Sequence, residues 1–140
     1  MIINTTHLDN EKKILIQSLV GDSISIWESL FIKRKGSHRM IINTLSKNFN
    51  NYFKKYNDLL YANIELREKG VIIRISANLE TVSWIIPFYK LTIFNSNYFS
   101  IYSNDNFIKF KKDKYYSINK KFIESLMNEK AFYINKFSAN

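Results

Sequence analysis

Apolar residues recur along this chain at two spacings, and the switch between them separates helices from strands. Over residues 9–20, Leu15, Ile16, Leu19 and Val20 share one helical face. Asp9 can cap such a helix, Glu11 suits the positive end of its dipole, and Gly21 stands just past its end. Lys12 occupies the position where a capping box needs Glu or Gln. Ile14, Ile16 and Val20 also fit a period of two, so a strand competes here. Residues 23–28 alternate, Ile24 and Ile26 against Ser23 and Ser25, which predicts a strand with Trp27 pointing away from Ile26. Residues 30–33 and 39–42 are further strand candidates around a Lys35-Gly36-Ser37 turn. From 43 to 60, Leu45, Phe49, Tyr52, Phe53, Tyr56, Leu59 and Leu60 repeat at steps of three and four, the pattern of a helix. Asn48, Asn50, Asn51 and Asn57 are poor helix formers, so that helix must rely on packing.

The period then becomes two. Residues 63–76 read as a hairpin turning on Lys69-Gly70, where glycine supplies a positive φ. A two-residue loop there sets Leu66 opposite Ile73 and Ile64 opposite Ile75, with Glu65 facing Arg74 on the other side. Residues 82–86 form another strand, and Pro87 bends the chain. Residues 90–94, 98–103 and 106–111 read as a meander. A three-residue loop, 95–97, pairs Leu91 with Ile101 and Ile93 with Phe99. A two-residue loop, Asn104-Asp105, pairs Ile101 with Ile108 and Phe99 with Phe110. These apolar side chains then lie on one face, with Thr92, Ser100 and Lys109 on the other. Ser117 can cap a final helix in which Phe122, Ile123, Leu126, Met127, Tyr133, Ile134 and Phe137 form a broad apolar stripe. Phe122, Leu126 and Ile134 are expected to be buried against the sheet.

The pattern predicts an α+β fold: a mostly antiparallel sheet or half-barrel, covered by helices and ending in an amphipathic C-terminal helix. With no repeat and no Pro- or Gly-rich linker, residues 1–140 read as one domain. The bend from Val82 to Tyr89 (Val-Ser-Trp-Ile-Ile-Pro-Phe-Tyr), the meander after it and the helix from Ser117 resemble a bacterial pleckstrin-homology-like domain. That resemblance covers the second half of the chain and implies a half-barrel plugged at one open end by the helix. The helix around Tyr52 departs from the pattern and would be an insertion. The run of Gly70 to Arg74, Trp84 to Leu91 and Phe107 to Phe110, with Asn119 to Ile123, is similar to a set of uncharacterised Bacteroidetes proteins. No activity follows from that likeness.

Composition narrows the field further. At 46% hydrophobic residues the chain belongs with globular proteins rather than disordered ones. Without cysteine, neither a disulfide nor a thiolate metal site can form. No basic leader precedes an apolar block, and the longest nearly apolar run, 82–89, is far short of the ~20 residues of a bilayer span, so a cytoplasmic setting is expected. The formal charge of +9 invites a polyanion partner, but it must be discounted. Residues with A/T-rich codons (Phe, Tyr, Met, Ile, Asn, Lys) make up 78 of the 140, and Lys outnumbers Arg 17 to 4. An A/T-rich genome generates that skew without selection on charge.

Motifs for phosphate cradles, nucleophile elbows and zinc helices are missing, and His7 and His38 are the sole histidines. No cofactor is implied. Asp22 with Glu28, or Glu65 with Glu68, could pair for acid–base work, but a solvated surface is the ordinary fate of such residues. An enzyme therefore ranks last. The local cluster that stands out is Lys33, Arg34, Lys35, His38 and Arg39 around Gly36-Ser37, with half of all the arginines. Such a turn could grip an anionic surface or an acidic protein partner, with Gly36 and Ser37 offering backbone N–H groups. Its bland alternative is a solvated turn. Most aromatics, including Tyr52, Trp84, Phe88 and Tyr89, fall on core faces, whereas Tyr98 and Tyr102 alternate outward. Together with Lys109, Lys111 and Lys112 these two define a second candidate, a nucleic-acid-binding face. A non-enzymatic binding or regulatory module is the leading expectation, with nucleic-acid binding the alternative.

Overall fold

Alternation of buried and exposed side chains builds the middle of this molecule, which a computed structural model describes over residues 1–24, 35–53 and 59–138. Strands β3 (Tyr61–Arg67), β4 (Gly70–Ala77) and β5 (Glu80–Pro87) turn sharply into one another. Short β1 (Ile2–Asn4) adds to β5, and β2 (Met40–Leu45) adds to β3. A second meander, β6 (Thr92–Asn95), β7 (Phe99–Ser103) and β8 (Asn106–Phe110), joins the far side of β2 through β8. The result is an open, wholly antiparallel sheet in the order β1-β5-β4-β3-β2-β8-β7-β6. Helices α1 (Asn10–Val20), α2 (Asn50–Phe53), α3 (Lys114–Ser117) and α4 (Lys120–Ser138) complete the α+β fold.

One connection forces the sheet to curl. Pro87 ends β5 and Thr92 begins β6, so residues 88–91 join the second strand of the sheet to the eighth. Five residue steps reach about 18 Å at most. Six strand spacings of a flat sheet would separate those strands by about 29 Å. The sheet therefore curls back on itself without closing, and its inner face wraps one core. Met40, Ile64, Leu66, Ile73, Trp84, Phe99, Ile101, Ile108 and Phe110 meet there with Phe122, Ile123 and Leu126 from α4. On the outer face, α1 lays Ile16 and Val20 over Ile72 and Ile85.

The start of α1 agrees with expectation: Asp9 caps it by accepting from the Lys12 amide at 2.8 Å. At its end Gly21 adopts φ 77° and donates to Gln17 O. The β3–β4 hairpin differs in register. Its loop is Glu68-Lys69, and Leu66 pairs with Val71, Ile64 with Ile73 and Asn63 with Arg74. The two-residue slip leaves every side chain on its expected face. The cause lies at Gly70, whose φ is not positive. Its missing side chain is what matters: a Cβ there would stand 2.3 Å from Ile86 O, 2.7 Å from Val20 Cγ1 and 2.8 Å from Pro87 Cα. The glycine is drawn into the strand, where β5 and α1 press closest. The turn amides of Glu68 and Lys69 then bond Asp22 O and Val20 O at the end of α1.

The second meander keeps its expected β7–β8 register, with Phe99 opposite Phe110 and Ile101 opposite Ile108. Asn104 takes φ 54° in that turn. The β6–β7 pairing slips by two, so Ile93 faces Ile101 and Asn95 faces Phe99. Asn95 is held in the ladder because its side-chain amide both donates to and accepts from the Tyr116 hydroxyl, at 3.1 and 3.3 Å.

Three expectations are overturned. Where residues 43–53 are described, the expected helix is replaced by the rest of β2, a 3-10 turn (Lys47–Phe49) and the single turn of α2; the part of it over 54–58 lies outside the described residues. Its apolar spacing reflects separate burial of Phe49, edge-on to Trp84 at 5.4 Å, rather than one helical face. Ser117 does not cap the final helix; Asp113 caps α3, accepting from the Tyr115 and Tyr116 amides. Ile134, Tyr52 and Tyr89 are exposed, not core. The expected strands at 23–28 and 30–33, with Trp27, fall almost wholly outside the described residues.

Gly70→Ala should lower stability by about 3 kcal/mol, because two of the close contacts are backbone and cannot step aside. A fall in Tm of about 10 °C follows. Gly36→Ala, whose Cβ would find its nearest neighbour at 3.7 Å, should stay within about 0.5 kcal/mol of wild type in the same melts.

Candidate ligand-binding face

The basic turn runs as a rail along β3. Lys35 O accepts from Leu66 N at 2.7 Å, Ser37 N donates to Ile64 O at 2.8 Å, and Ile64 N donates to Ser37 Oγ at 2.9 Å. Gly36 bridges to Glu65. The Ser37 amide is therefore engaged by β3 and does not face an anion. Lys35, His38 and Arg39 are exposed, while Lys33 and Arg34 lie outside the described residues.

Between Ser37 and Met40 the segment is fastened from across the molecule. Asn119, 1% exposed, accepts from His38 N at 2.9 Å and donates to His38 O at 3.2 Å and Tyr115 O at 2.8 Å. A side-chain amide thus stands in for a strand partner. Arg39 follows directly, its guanidinium 4.6 Å above the Tyr61 ring. Tyr61 meets Tyr115 edge-on at 6.3 Å, and Lys114 Nζ lies 5.3 Å from the Tyr115 centroid. Arg67 and Arg74 have a different role: both face the Glu65 carboxylate, at 2.9 and 3.6 Å. The predicted Glu65–Arg74 partnership survives the register slip as a diagonal contact.

The second candidate face has a clear geometry on the outer side of β6–β8. Since Phe99, Ile101, Ile108 and Phe110 point into the core, alternation turns Phe94, Tyr102, Phe107 and Lys109 outward. Phe94 and Tyr102 meet edge-on at 5.4 Å, and Tyr102 and Phe107 lie 5.6 Å apart with their planes tilted by 37°. Lys109 Nζ stands 5.5 Å from the Phe107 centroid. Phe94 is 56% exposed; Tyr102 and Phe107 are half-buried. Lys111, its amide bonded to Ile41 O, continues the strand beyond Lys109. Tyr98 sits exposed in the β6–β7 turn. Lys112 is exposed past the end of β8, its Nζ lying 5.3 Å from the ring of buried Tyr116. Phe94 and Phe107 are the residues that sequence reasoning missed. The alternation that turned Tyr102 outward turns them outward too.

Of the two acidic pairs, Asp22 with Glu28 falls partly outside the described residues, which do not include Glu28. Glu65 is held by two arginines, and Asp22 accepts from the Gln17 side chain at 2.6 Å. Among the described residues, no cluster of His, Asp and Glu could hold a metal ion, and no helix is long and apolar enough to cross a membrane. A groove of about 350 Å³ between β6 and α4 is lined by Ile93, Met127, Lys130, Ala131, Ile134 and Asn135. On the same helix, burial pushes the Glu129 carboxyl above its usual range. No protein-family model matches the chain, and neither does any curated protein or solved structure.

Asn119→Ala should cost about 2–3 kcal/mol, because it removes the part-buried hydrogen bonds that the Asn119 amide makes to the main chain of His38 and Tyr115. Chemical denaturation reads that loss. Glu129 behaves oppositely to a salt-bridged acid. Its raised folded pKa means that stability declines as pH rises through the interval between its unfolded and folded values. Glu129→Gln should therefore melt slightly higher than wild type at neutral pH. The difference should vanish once the carboxyl is protonated in both states.

Proposed function

We propose that the chain is a non-enzymatic binding module that receives a single-stranded nucleic acid on the outer face of β6–β8. One observation carries this reading: Phe94, Tyr102 and Phe107 form an outward ring ladder across three neighbouring strands, with Lys109 against its end. Unstacked bases present π-faces to such rings whatever their sequence, and the adjacent lysines meet the phosphates. A duplex keeps its bases in its own stack and gains nothing from the ladder.

Contact of Lys33, Arg34, Lys35, His38 and Arg39 with an anionic surface or an acidic protein partner ranks second. The exposure of Lys35, His38 and Arg39 favours it, and the engagement of the Ser37 amide counts against a backbone cradle. A curled sheet with an amphipathic α4 across its inner face is also what a pleckstrin-homology-like half-barrel would present. Buried Phe122, Ile123 and Leu126 against exposed Lys121 and Glu124 support that comparison. A cytoplasmic setting accords with the lack of cysteine.

Fluorescence anisotropy with an oligothymidine of about 12 nucleotides tests the reading at moderate salt. Tyr102→Ala and Phe107→Ala should each weaken binding by about 5- to 150-fold, the equivalent of ~1–3 kcal/mol per stacked base. Their far-ultraviolet circular dichroism should match wild type. Failure of the wild-type protein to bind would remove the reading. Retention on anionic liposomes without oligonucleotide binding would transfer support to the basic turn.

A further inference from the structure

We infer that Arg39, Tyr61, Lys114 and Tyr115 form a second contact site, which takes the continuation of a single strand bound at the Phe94, Tyr102 and Phe107 ladder. This inference rests on the function proposed above. The four side chains interleave charge and ring. Arg39 lies over Tyr61 at 4.6 Å, Tyr61 meets Tyr115 at 6.3 Å and 83°, and Lys114 lies over Tyr115 at 5.3 Å. Two rings at right angles, each with a cation on it, offer one base a face and two phosphates a charge.

Among the described residues, neither Arg39 nor Lys114 has a carboxylate within ion-pair reach. Asp113, adjacent in sequence, directs its carboxylate to the Tyr115 and Tyr116 amides. The other two described arginines, Arg67 and Arg74, are both met by Glu65.

The two clusters share a face and a route. Tyr61 lies opposite Ile41 in the β2–β3 pair, and Ile41 O accepts from Lys111 N, so Lys111 and Tyr61 flank Ile41. From Phe107 the outward positions of β8 run through Lys109 to Lys111 and then across β2 to Tyr61. Four residues along a strand and two strand spacings across make a diagonal of about 16 Å. Its described outward strand positions carry lysine charges and no carboxylate. Position is fixed as well: buried Asn119 bonds the main chain of His38 and of Tyr115, holding the residues that bear both halves of the cluster.

A strand occupying both clusters gains the effective concentration of a second, tethered contact. The test compares oligothymidines of about 4 and about 12 nucleotides, lengths that bracket occupation of one cluster or both. Wild-type protein should bind the longer about 100-fold more tightly. Tyr61→Ala with Tyr115→Ala should erase most of that advantage and leave the short oligonucleotide unaffected. Tyr61→Phe with Tyr115→Phe should restore it, because stacking does not need the hydroxyls. Arg39→Gln with Lys114→Gln should reduce the dependence of log K on log salt for the long oligonucleotide by about 1.4, or ~0.7 per phosphate contact. Equal wild-type affinity for both lengths, or variants that keep the full long-oligonucleotide advantage, would overturn the second site and leave the ladder standing. Binding of neither length would overturn both.

Discussion

The link over residues 88–91 sets the shape of this protein, because it is too short for a flat sheet. Its own residues are fixed firmly. Phe88 donates its amide to Lys69 O at 2.8 Å, and Phe88 and Leu91 are both buried. Tyr133 of α4 reaches the Phe88 ring at 5.3 Å, so the helix is guided over the same bend. A curled sheet has a concave side that gathers apolar side chains from distant strands, and α4 fills what they leave. The convex side receives α1 over β4 and β5. Over β6–β8 it presents aromatic rings with substantial exposure.

That asymmetry separates stability from recognition. Inward positions of the long strands are mostly apolar, from Met40 and Ala62 to Trp84 and Phe99, and are almost fully buried. Outward positions differ from one end of the sheet to the other. Where α1 covers them they are Ile72 and Ile85; elsewhere they include the charged Glu65 and Arg74 and, farther along, Tyr61, Tyr102, Phe107 and Lys109. Rings and aliphatic lysine stems can shelter a sheet surface and still offer a polar or π-active exterior. A substitution on the outward face therefore disturbs the core little, which makes binding measurements on such variants interpretable.

Faces were legible in the sequence and registers were not. A two-residue slip leaves the alternation intact, so Ile64, Leu66, Ile93 and Ile101 are inward in either register. What selects the register is tertiary: the crowding around Gly70 and the amide–hydroxyl pair between Asn95 and Tyr116. Neither leaves a local signature. The first half of the helix expected over 43–60 fails for a related reason, since half-buried Leu45 and buried Phe49 belong to separate elements and merely lie four residues apart. For the site, alternation correctly turned Tyr102 outward, while Arg39 became part of the outer face through Asn119, a contact spanning 81 residues. Separations of that size are invisible to any local pattern.

The sheet order also has a kinetic consequence. Strands β3–β5 and β6–β8 each form by tight turns between neighbours in sequence, whereas β2 must find β8 across more than sixty residues, as in the pairing of Ile42 with Phe110. Loop-closure entropy opposes that pairing until the contacts around it are made. The pairing is also irregular, its register shifting between Ile42 and Thr44. Two quickly formed meanders joined by one slow, bulged seam make β2 the element on which the folding rate should depend. The aromatic ladder lies wholly within the second meander. Tyr61 and Arg39 lie across the seam, so the two clusters acquire their common face when that seam closes.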